Sequence, residues 1–270
     1  MIDQVINVVI CYANEDEVVA YAAQLMGQTD CDSIKLIVVI NKTGKGEQYL
    51  REKLYQTKID YNLYTPKENL GYLNGLLFGA SNYEAISDWY IFSNTDIKLP
   101  QPEMIRTFLQ GVFAKDENIW IVGPSVYAPL KDSYSNPYIV SRPTKASYAI
   151  KNVGMSFPHL YEMLFRMKSK LKKSNNSIPV NSAYVYAVHG SYFFIRREMI
   201  EELLTRKDWE LLYDEEQYLA EIARNQKKKI YYDSSLFVEH MEGATTGKIE
   251  VKRRYARMRK SNKRMLEQFY

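Results

Sequence analysis

Residues 5–40 read VINVVICYANEDEVVAYAAQLMGQTDCDSIKLIVVI, and the reading of this stretch decides the fold. Val5 to Tyr12 is a continuous apolar run, as expected of a strand buried on both faces. Asn14 follows as a candidate N-cap, with Glu17 three residues later completing a capping box, and a helix is expected to about Met26. Ile34 to Ile40 (IKLIVVI) is a second buried strand. Strand, helix and strand within 36 residues is the repeat of a parallel sheet with right-handed crossovers.

Outward from there the alternation continues. Gly44 and Gly46 punctuate a loop, a helix runs through Tyr49 and Leu54, and Ile59 to Tyr64 is a third strand ended by Pro66. A helix from about Tyr72 to Ile86 leads into Trp89 to Ser93 (WYIFS), and another from about Glu103 to Lys115 leads into Ile119 to Val122. Between Pro124 and about Phe157 periodicity fades among prolines, serines and tyrosines, so a long functional loop region is expected. A basic helix from about His159 to Lys173, a break at 174–177, strands over Tyr184–Val188 and Tyr192–Ile195, a helix from Glu215 to Gln226, strand pieces near Ile230 and Phe237, and a basic tail helix complete the reading. The expected fold class is α/β, a mostly parallel central sheet flanked by helices. The expected division is 1–245 as one domain, with halves 1–123 and 124–245, and 246–270 as a helical tail.

The 270 residues are ample for a buried core. No apolar run reaches the roughly 20 residues of a membrane span, and no secretory leader pattern opens the chain, so a cytoplasmic protein is expected. Cys11 and Cys31 lack metal-site spacing and read as reduced thiols. The net charge of +4 hides clustering: Lys168, Lys170, Lys172 and Lys173 form one basic group, and Lys248 to Arg264 a second. Charge without a nucleic-acid-binding motif argues against nucleic acid.

Four constellations carry chemistry. Asn94-Thr95-Asp96 lies just past the strand WYIFS, where open α/β sheets place their ligand crevice. A carboxylate there can hold Mg²⁺ or Mn²⁺ while substrate phosphates complete the shell, or can simply cap the helix near Glu103. Asn69, Gly71, Asn74 and Gly75 open a helix whose N–H groups suit a phosphate, though without P-loop or dinucleotide spacing. Tyr213-Asp214-Glu215-Glu216 gathers three carboxylates whose mutual repulsion raises at least one proton affinity, as a general base needs. The same acids also suit a helix macrodipole. His240 at a strand end and His189-Gly190-Ser191 before the strand YFFIRR are either ligands or satisfied polar residues.

Taken in order, these segments resemble the family 2 glycosyltransferases of GT-A fold, especially the bacterial type that builds surface polysaccharides, over about residues 5 to 245. Asn69 to Tyr72 with Asn74-Gly75 resembles the segment beside the donor. Asn94-Thr95-Asp96 resembles the metal-binding aspartate motif, with Thr95 where proline is usual. Gly190-Ser191 followed by Phe193 to Arg197 resembles the acceptor-side strand. Leu212 to Glu216 resembles the segment ending in the catalytic base, here Glu-Glu rather than Glu-Asp. His240 resembles the late histidine of the metal or diphosphate site.

The resemblance implies an inverting transfer of a single sugar, hexose or rhamnose, from a UDP-, dTDP- or GDP-linked donor to a glycan or lipid-linked glycan. Glu216 is the implied base, with Glu215 as reserve. A divalent metal on Asp96, with His240, would neutralise the diphosphate. Cys11, Tyr12, Asn14, Asn41, Asn69, Gly71, Asn74, Asn94 and Thr95 are the implied donor contacts, and His189, Gly190 and Ser191 the acceptor side. The tail, with Met258, Met265, Leu266 and Phe269 among its basic residues, could lie on anionic lipid at the inner membrane face or pack on the domain. Two rival functions share such a sheet. A nucleotidyltransferase would carry a glycine-rich basic loop where Tyr12 to Asp16 is acidic; a non-catalytic glycan- or nucleotide-binding subunit would not need Asp96 and Glu216.

Overall fold

The computed structural model describes residues 4–85, 87–171, 181–206, 213–241 and 251–270. Expectations for Leu212, Lys172, Lys173, the break at 174–177, the domain boundary at 245 and the tail start at Lys248 lie outside them. The strands are β1 (Val5–Tyr12), β2 (Ile34–Lys42), β3 (Asp60–Tyr64), β4 (Trp89–Ser93), β5 (Ile97–Lys98), β6 (Ile119–Ala128), β7 (Ser133–Tyr134), β8 (Ala183–Val185), β9 (Tyr192–Arg196) and β10 (Lys229–His240). The helices are α1 (Glu15–Leu25), α2 (Glu47–Thr57), α3 (Leu73–Asn82), α4 (Met104–Gln110), α5 (Val112–Lys115), α6 (Lys145–Gly154), α7 (Pro158–Leu171), α8 (Arg197–Leu204), α9 (Glu215–Asn225) and α10 (Val251–Phe269).

One sheet organises the chain, in the order β3-β2-β1-β4-β9-β6-β10-β5, with β7 on β6 and β8 on β10. β3, β2, β1 and β4 run parallel; β9 runs antiparallel between β4 and β6, and β10 is parallel to β6. Strand alternation divides the core into two layers. Ile6, Val8, Ile37, Val39, Phe92, Phe193 and Ile195 face α3, α8 and α9. Val5, Val9, Leu36, Val38, Ile91 and Phe194 face α1, α2 and α4. Each such side chain contributes about 1.5–3 kcal/mol on burial. No helix among the described residues is long and apolar enough to cross a membrane.

The α/β sheet follows the expected alternation, and β1 and β4 have the expected bounds. The departures have physical reasons. The stretch from Pro124 is not a loop at its start: β6 runs on to Ala128. Pro124 lacks an N–H, and β10 shifts register between Asp233 and Phe237, opposite it. Further on, α6 forms with Thr144 as N-cap, its Oγ1 accepting the Ser147 N–H at 3.1 Å. Its only buried helical residue is Tyr148, so the core-facing periodicity is too sparse to recognise. The helix expected over 103–115 breaks at Gly111. The capping box at Asn14 does not form, because the Asn14 Oδ1 accepts the Tyr12 N–H at 2.7 Å rather than an N–H of α1, while its Nδ2 donates to Thr95 Oγ1 at 2.7 Å and Glu17 at 3.0 Å. The strand pieces near Ile230 and Phe237 are one strand.

Of the readings of the tail, the structure takes the one in which it packs on the domain. Met265 of α10 is fully buried in the core, and Leu266 and Phe269 pack against that core. Three of its four named apolar residues, Met265, Leu266 and Phe269, are therefore occupied by the protein itself.

Gly75 and Gly79 let α3 lie close on the sheet. A Cβ at Gly79 would stand 2.7 Å from both Val39 Cγ2 and Val8 Cγ1. One at Gly75 would meet Ile10 Cδ1 at 2.7 Å, so its close approach serves helix packing rather than a ligand. Gly79→Val should lose about 2–3 kcal/mol by overpacking, measured by urea denaturation. An unchanged midpoint would contradict this packing.

Candidate active site

The carboxyl ends of β1, β2, β4, β6 and β10 and the start of β9 share one edge of the sheet. Most of the residues singled out from sequence gather there. Asp96 follows β4, and its Oδ1 lies 3.2 Å from His240 Nε2 at the end of β10. Register fixes the pair, since His240 faces Ile97 across the β10–β5 ladder and the Met241 N–H donates to the Asp96 carbonyl at 3.0 Å. Asn94 Nδ2 lies 3.3 Å from the same His240 nitrogen.

Glu216 stands on the first turn of α9, and its Oε1 accepts the Gly190 N–H at 3.2 Å. The Gly190 carbonyl accepts from Tyr72 Oη at 2.7 Å, and the Ser191 carbonyl accepts the Asn94 N–H at 2.7 Å. The dipeptide 190–191 thus ties the carboxylate of α9 to the aspartate loop after β4. A Cβ at Gly190 would fall 2.9 Å from Glu216 Oε1 and would displace that carboxylate. His189 closes the same segment: its Nδ1 accepts the Ser191 N–H at 3.2 Å, and its ring lies 5.7 Å from that of His240.

Two acids with raised proton affinity sit side by side. Burial, then repulsion from Glu216, raises the Glu215 carboxyl. Burial is also the main cause for Glu216; the N–H groups of its own residue and Gly190 pull its pKa down, Asp214 pushes it up, and the net direction is upward. Tyr72 is raised by burial and then by the charges of Glu215, Glu216 and Asp96. Tyr138, raised first by the Glu216 charge and then by burial, also packs edge-on against His189 with centroids 5.5 Å apart.

The donor-side residues separate into two groups. Tyr12 is exposed at the end of β1, with Asn14 beside Thr95. Asn41 holds the 70–71 turn, donating to the Gly71 carbonyl at 2.8 Å and accepting from the Leu70 N–H at 3.3 Å. Asn69 accepts the Gly71 N–H, at a Gly71 φ of 75° that favours glycine. Asn74 follows on the first turn of α3. The Cys11 thiol, by contrast, lies wholly inside the core, pushed up to about 11 by burial. Only the backbone of Cys11 is at the edge.

Among the described residues no three His, Cys, Asp or Glu side chains converge on one point. The donor set of Asp96 and His240 nevertheless fits a hard divalent cation. Two ligands at roughly 2.1 Å in an octahedral shell stand about 3 Å apart, and such cations take one or two protein ligands beside substrate phosphates.

Three residues escaped the sequence reading. Asn136 is buried, accepting the His189 N–H at 2.7 Å and donating to the Pro124 carbonyl at 2.8 Å. Lys151 of α6 donates to Asp214 Oδ1 at 3.1 Å, and Ser261 of α10 donates to the Tyr213 carbonyl at 2.7 Å. Each makes a bond across more than 45 residues, and nothing local marked them. Lys151 and Ser261 matter because Tyr213 and Asp214 hold φ of 80° and 60° immediately before the two acids. Lys151→Met would leave a buried carboxylate unpaired and should cost about 3 kcal/mol. Adding Asp214→Asn should recover part of that loss in a double-mutant cycle read by urea unfolding. Strict additivity of the two would dissociate Lys151 from the loop.

No protein-family model matches the sequence, and no characterised protein matches it in sequence comparison. Solved structures do match. The mannosyltransferase PcManGT from Pyrobaculum calidifontis, in complex with GDP-Man and Mn²⁺, aligns over 98% of this chain and 70% of its own at 11% identity and TM-score 0.57. GalNAc-T7 with UDP, GalNAc and Mn²⁺ aligns over 90% of this chain and 45% of its own at 11% identity and TM-score 0.61. S. aureus TarS 1-349 with UDP-GlcNAc aligns over 96% and 66% at 12% identity and TM-score 0.59. The chain therefore spans less than half of the GalNAc-T7 structure and about two thirds of the TarS structure. At these identities the likeness is one of fold: the chain has the GT-A architecture of these glycosyltransferases.

Proposed function

We propose that this chain is a family 2 type inverting glycosyltransferase that moves one sugar from a nucleoside diphosphate donor to a hydroxyl of a glycan or lipid-linked glycan, in surface-polysaccharide synthesis. The observation that carries the reading is the 190–191 bridge, which holds the Glu216 carboxylate and the Asp96–His240 pair on one sheet edge. A glycosyl transfer needs a proton acceptor for the attacking hydroxyl and charge neutralisation for the leaving diphosphate, and the two clusters supply one each. The matching structures hold GDP-Man, UDP or UDP-GlcNAc, which supports a nucleotide-sugar donor on the same scaffold.

In this reading the donor lies along the ends of β1, β2 and β4, beside Tyr12, Asn14, Asn41 and the 69–74 turn, with Asn94 at its diphosphate. Asp96 and His240 would hold a divalent cation, Mn²⁺ or Mg²⁺, which when bound offsets diphosphate charge. The acceptor enters from the His189 and Tyr138 side. Its hydroxyl oxygen bonds to the anomeric carbon as the bond from that carbon to the diphosphate oxygen breaks on the opposite face. Glu216 receives the hydroxyl proton, and the configuration inverts. Glu215, one residue before it and also raised in proton affinity by burial, is the reserve base.

Thermal shift tests the donor half. UDP, dTDP or GDP with Mn²⁺ should raise the melting temperature; Asp96→Ala should remove the rise and Glu216→Gln should keep it. No rise with any of the three nucleotides would overturn the reading.

Glu216→Gln should reduce turnover by ~10²–10⁴-fold, the usual share of a general base. The folded-state pKa of Glu216 lies above its unfolded value, so its ionised form costs stability as pH rises. Glu216→Gln should therefore melt no lower than wild type at neutral pH. A large drop in melting temperature would make the residue structural. The base works only when ionised, so kcat/KM should fall with decreasing pH at values above the ordinary glutamate pKa of about 4.3. A pH profile flat down to that value would exclude Glu216 as the base.

A further inference from the structure

α6 and α7 present an apolar stripe to solvent. Ile150, Val153, Phe157, Leu160, Met163 and Met167 are spaced by three or four residues and are 51–74% exposed. The stripe is continuous across the junction: the Phe157 N–H donates to the Gly154 carbonyl and the Tyr161 N–H to the Phe157 carbonyl, and Gly154 has no Cβ because the Tyr161 ring would lie 2.5 Å from it. The other face of both helices is already used. Tyr148 meets Tyr270, Asn152 bonds the Arg259 carbonyl, Glu162 pairs with Arg254 at 2.7 Å and Tyr161 packs edge-on against Tyr255, all on or just beyond α10. Six large apolar side chains in a row outside the core are more than scattered surface hydrophobics, and mark a contact surface.

Charge identifies the contact. Residues 142–171 carry six Lys and Arg against one acid, and Val251–Phe269 carries eight against one, in a chain whose net charge is only +4. The positive charge of the protein is thus concentrated in this helical layer, while the remainder is net acidic. Lys252, Arg253, Arg257, Arg259 and Lys260 of α10 are all exposed. A second copy docking through the same face would set like charge against like. An apolar stripe on a basic helical layer matches the interface of an anionic bilayer, with the side chains at the acyl boundary and the cations attracted to headgroup phosphates.

We propose that the α6–α7 stripe seats the protein on an anionic membrane surface. This stands apart from the transfer reading, because it rests on neither acid cluster. It also places the site. Lys151, on the inward face of α6, reaches Asp214 next to Glu215 and Glu216, so these acids lie about one helix diameter, roughly 10 Å, from the lipid-facing side.

The experiment is co-sedimentation of the full chain with vesicles of phosphatidylcholine alone, or of phosphatidylcholine mixed with phosphatidylglycerol. Wild type should sediment with the mixed vesicles, weakly with phosphatidylcholine, and less as salt rises. The double variant Phe157→Asp, Leu160→Asp should bind the mixed vesicles about tenfold or more weakly with an unchanged unfolding midpoint. Lys252→Glu with Arg257→Glu should weaken binding and flatten the salt dependence. Tyr55→Asp, on the exposed side of α2, should bind as wild type does. The proposal is overturned if wild type stays in the supernatant, or if the stripe variant binds undiminished. It is also overturned if wild type runs as a dimer that Phe157→Asp, Leu160→Asp dissolves without any vesicle binding, which would assign the stripe to a second copy.

Discussion

Everything at the candidate site depends on the hydrogen bonds of two consecutive peptides, Gly190 and Ser191. One N–H and two carbonyls of this dipeptide are each taken by a different element: α9 through Glu216, the turn before α3 through Tyr72, and the loop after β4 through the Asn94 N–H. None of these elements neighbours another in sequence. The strand that follows the dipeptide, β9, is also the antiparallel member wedged between β4 and β6. Inserting a reversed strand there brings the start of β9 to the same edge as the ends of its parallel neighbours. That reversal lets a backbone segment, rather than a flexible side chain, set the distance between the Glu216 carboxylate and the Asp96–His240 pair.

The acids are held at a cost. Two consecutive non-glycine residues with positive φ, Tyr213 and Asp214, precede them, each an arrangement worth about 1–3 kcal/mol of strain. Burying Glu215 and Glu216 adds a desolvation penalty that appears as raised proton affinity. The compensation comes from outside the sheet. Lys151 neutralises Asp214, Ser261 bonds the Tyr213 carbonyl, and the Tyr218 N–H closes the first turn of α9 on the Asp214 carbonyl. Strain and unfavourable charge concentrated where chemistry is expected, offset by contacts elsewhere, is what distinguishes a working site from a stable one.

Much of this was legible in the sequence where burial is two-sided. VINVVICY and WYIFS were readable to their end residues because nearly every position of a central parallel strand is apolar, Asn7 and Ser93 being the polar exceptions. The placement of Asp96 followed from its strand end, and the order of the segments pointed to the fold. What could not be read were relations between distant positions. His240 meets Asp96 only because β10 folds back on the two-residue β5. Cys11, at a strand end, looked like a donor contact, yet alternation turns its side chain into the core. α6 was hidden because its apolar residues point away from the protein, and the tail stayed open between lipid and the domain, into which its apolar residues point. Periodicity shows that a helix has an apolar face. It does not show which way the face is turned.

These helices belong to one layer, and that explains both outcomes. α10 buries Met265 and Tyr255 and leaves its cations outside; α6 and α7 contact α10 and the acid loop with one face and turn their apolar residues outward. A helix that served only as a cover for the core would turn its apolar face inward, since exposed apolar area gains nothing in water. The outward stripe therefore has no role in holding the monomer together. The inward face of the same helix is the one that fixes Asp214, so a single α-helix separates the external apolar surface from the loop that positions the two acids. Any force that seats the stripe is transmitted to that loop through α6 as a rigid body, because Lys151 and the stripe residues Ile150 and Val153 share the same helical turns.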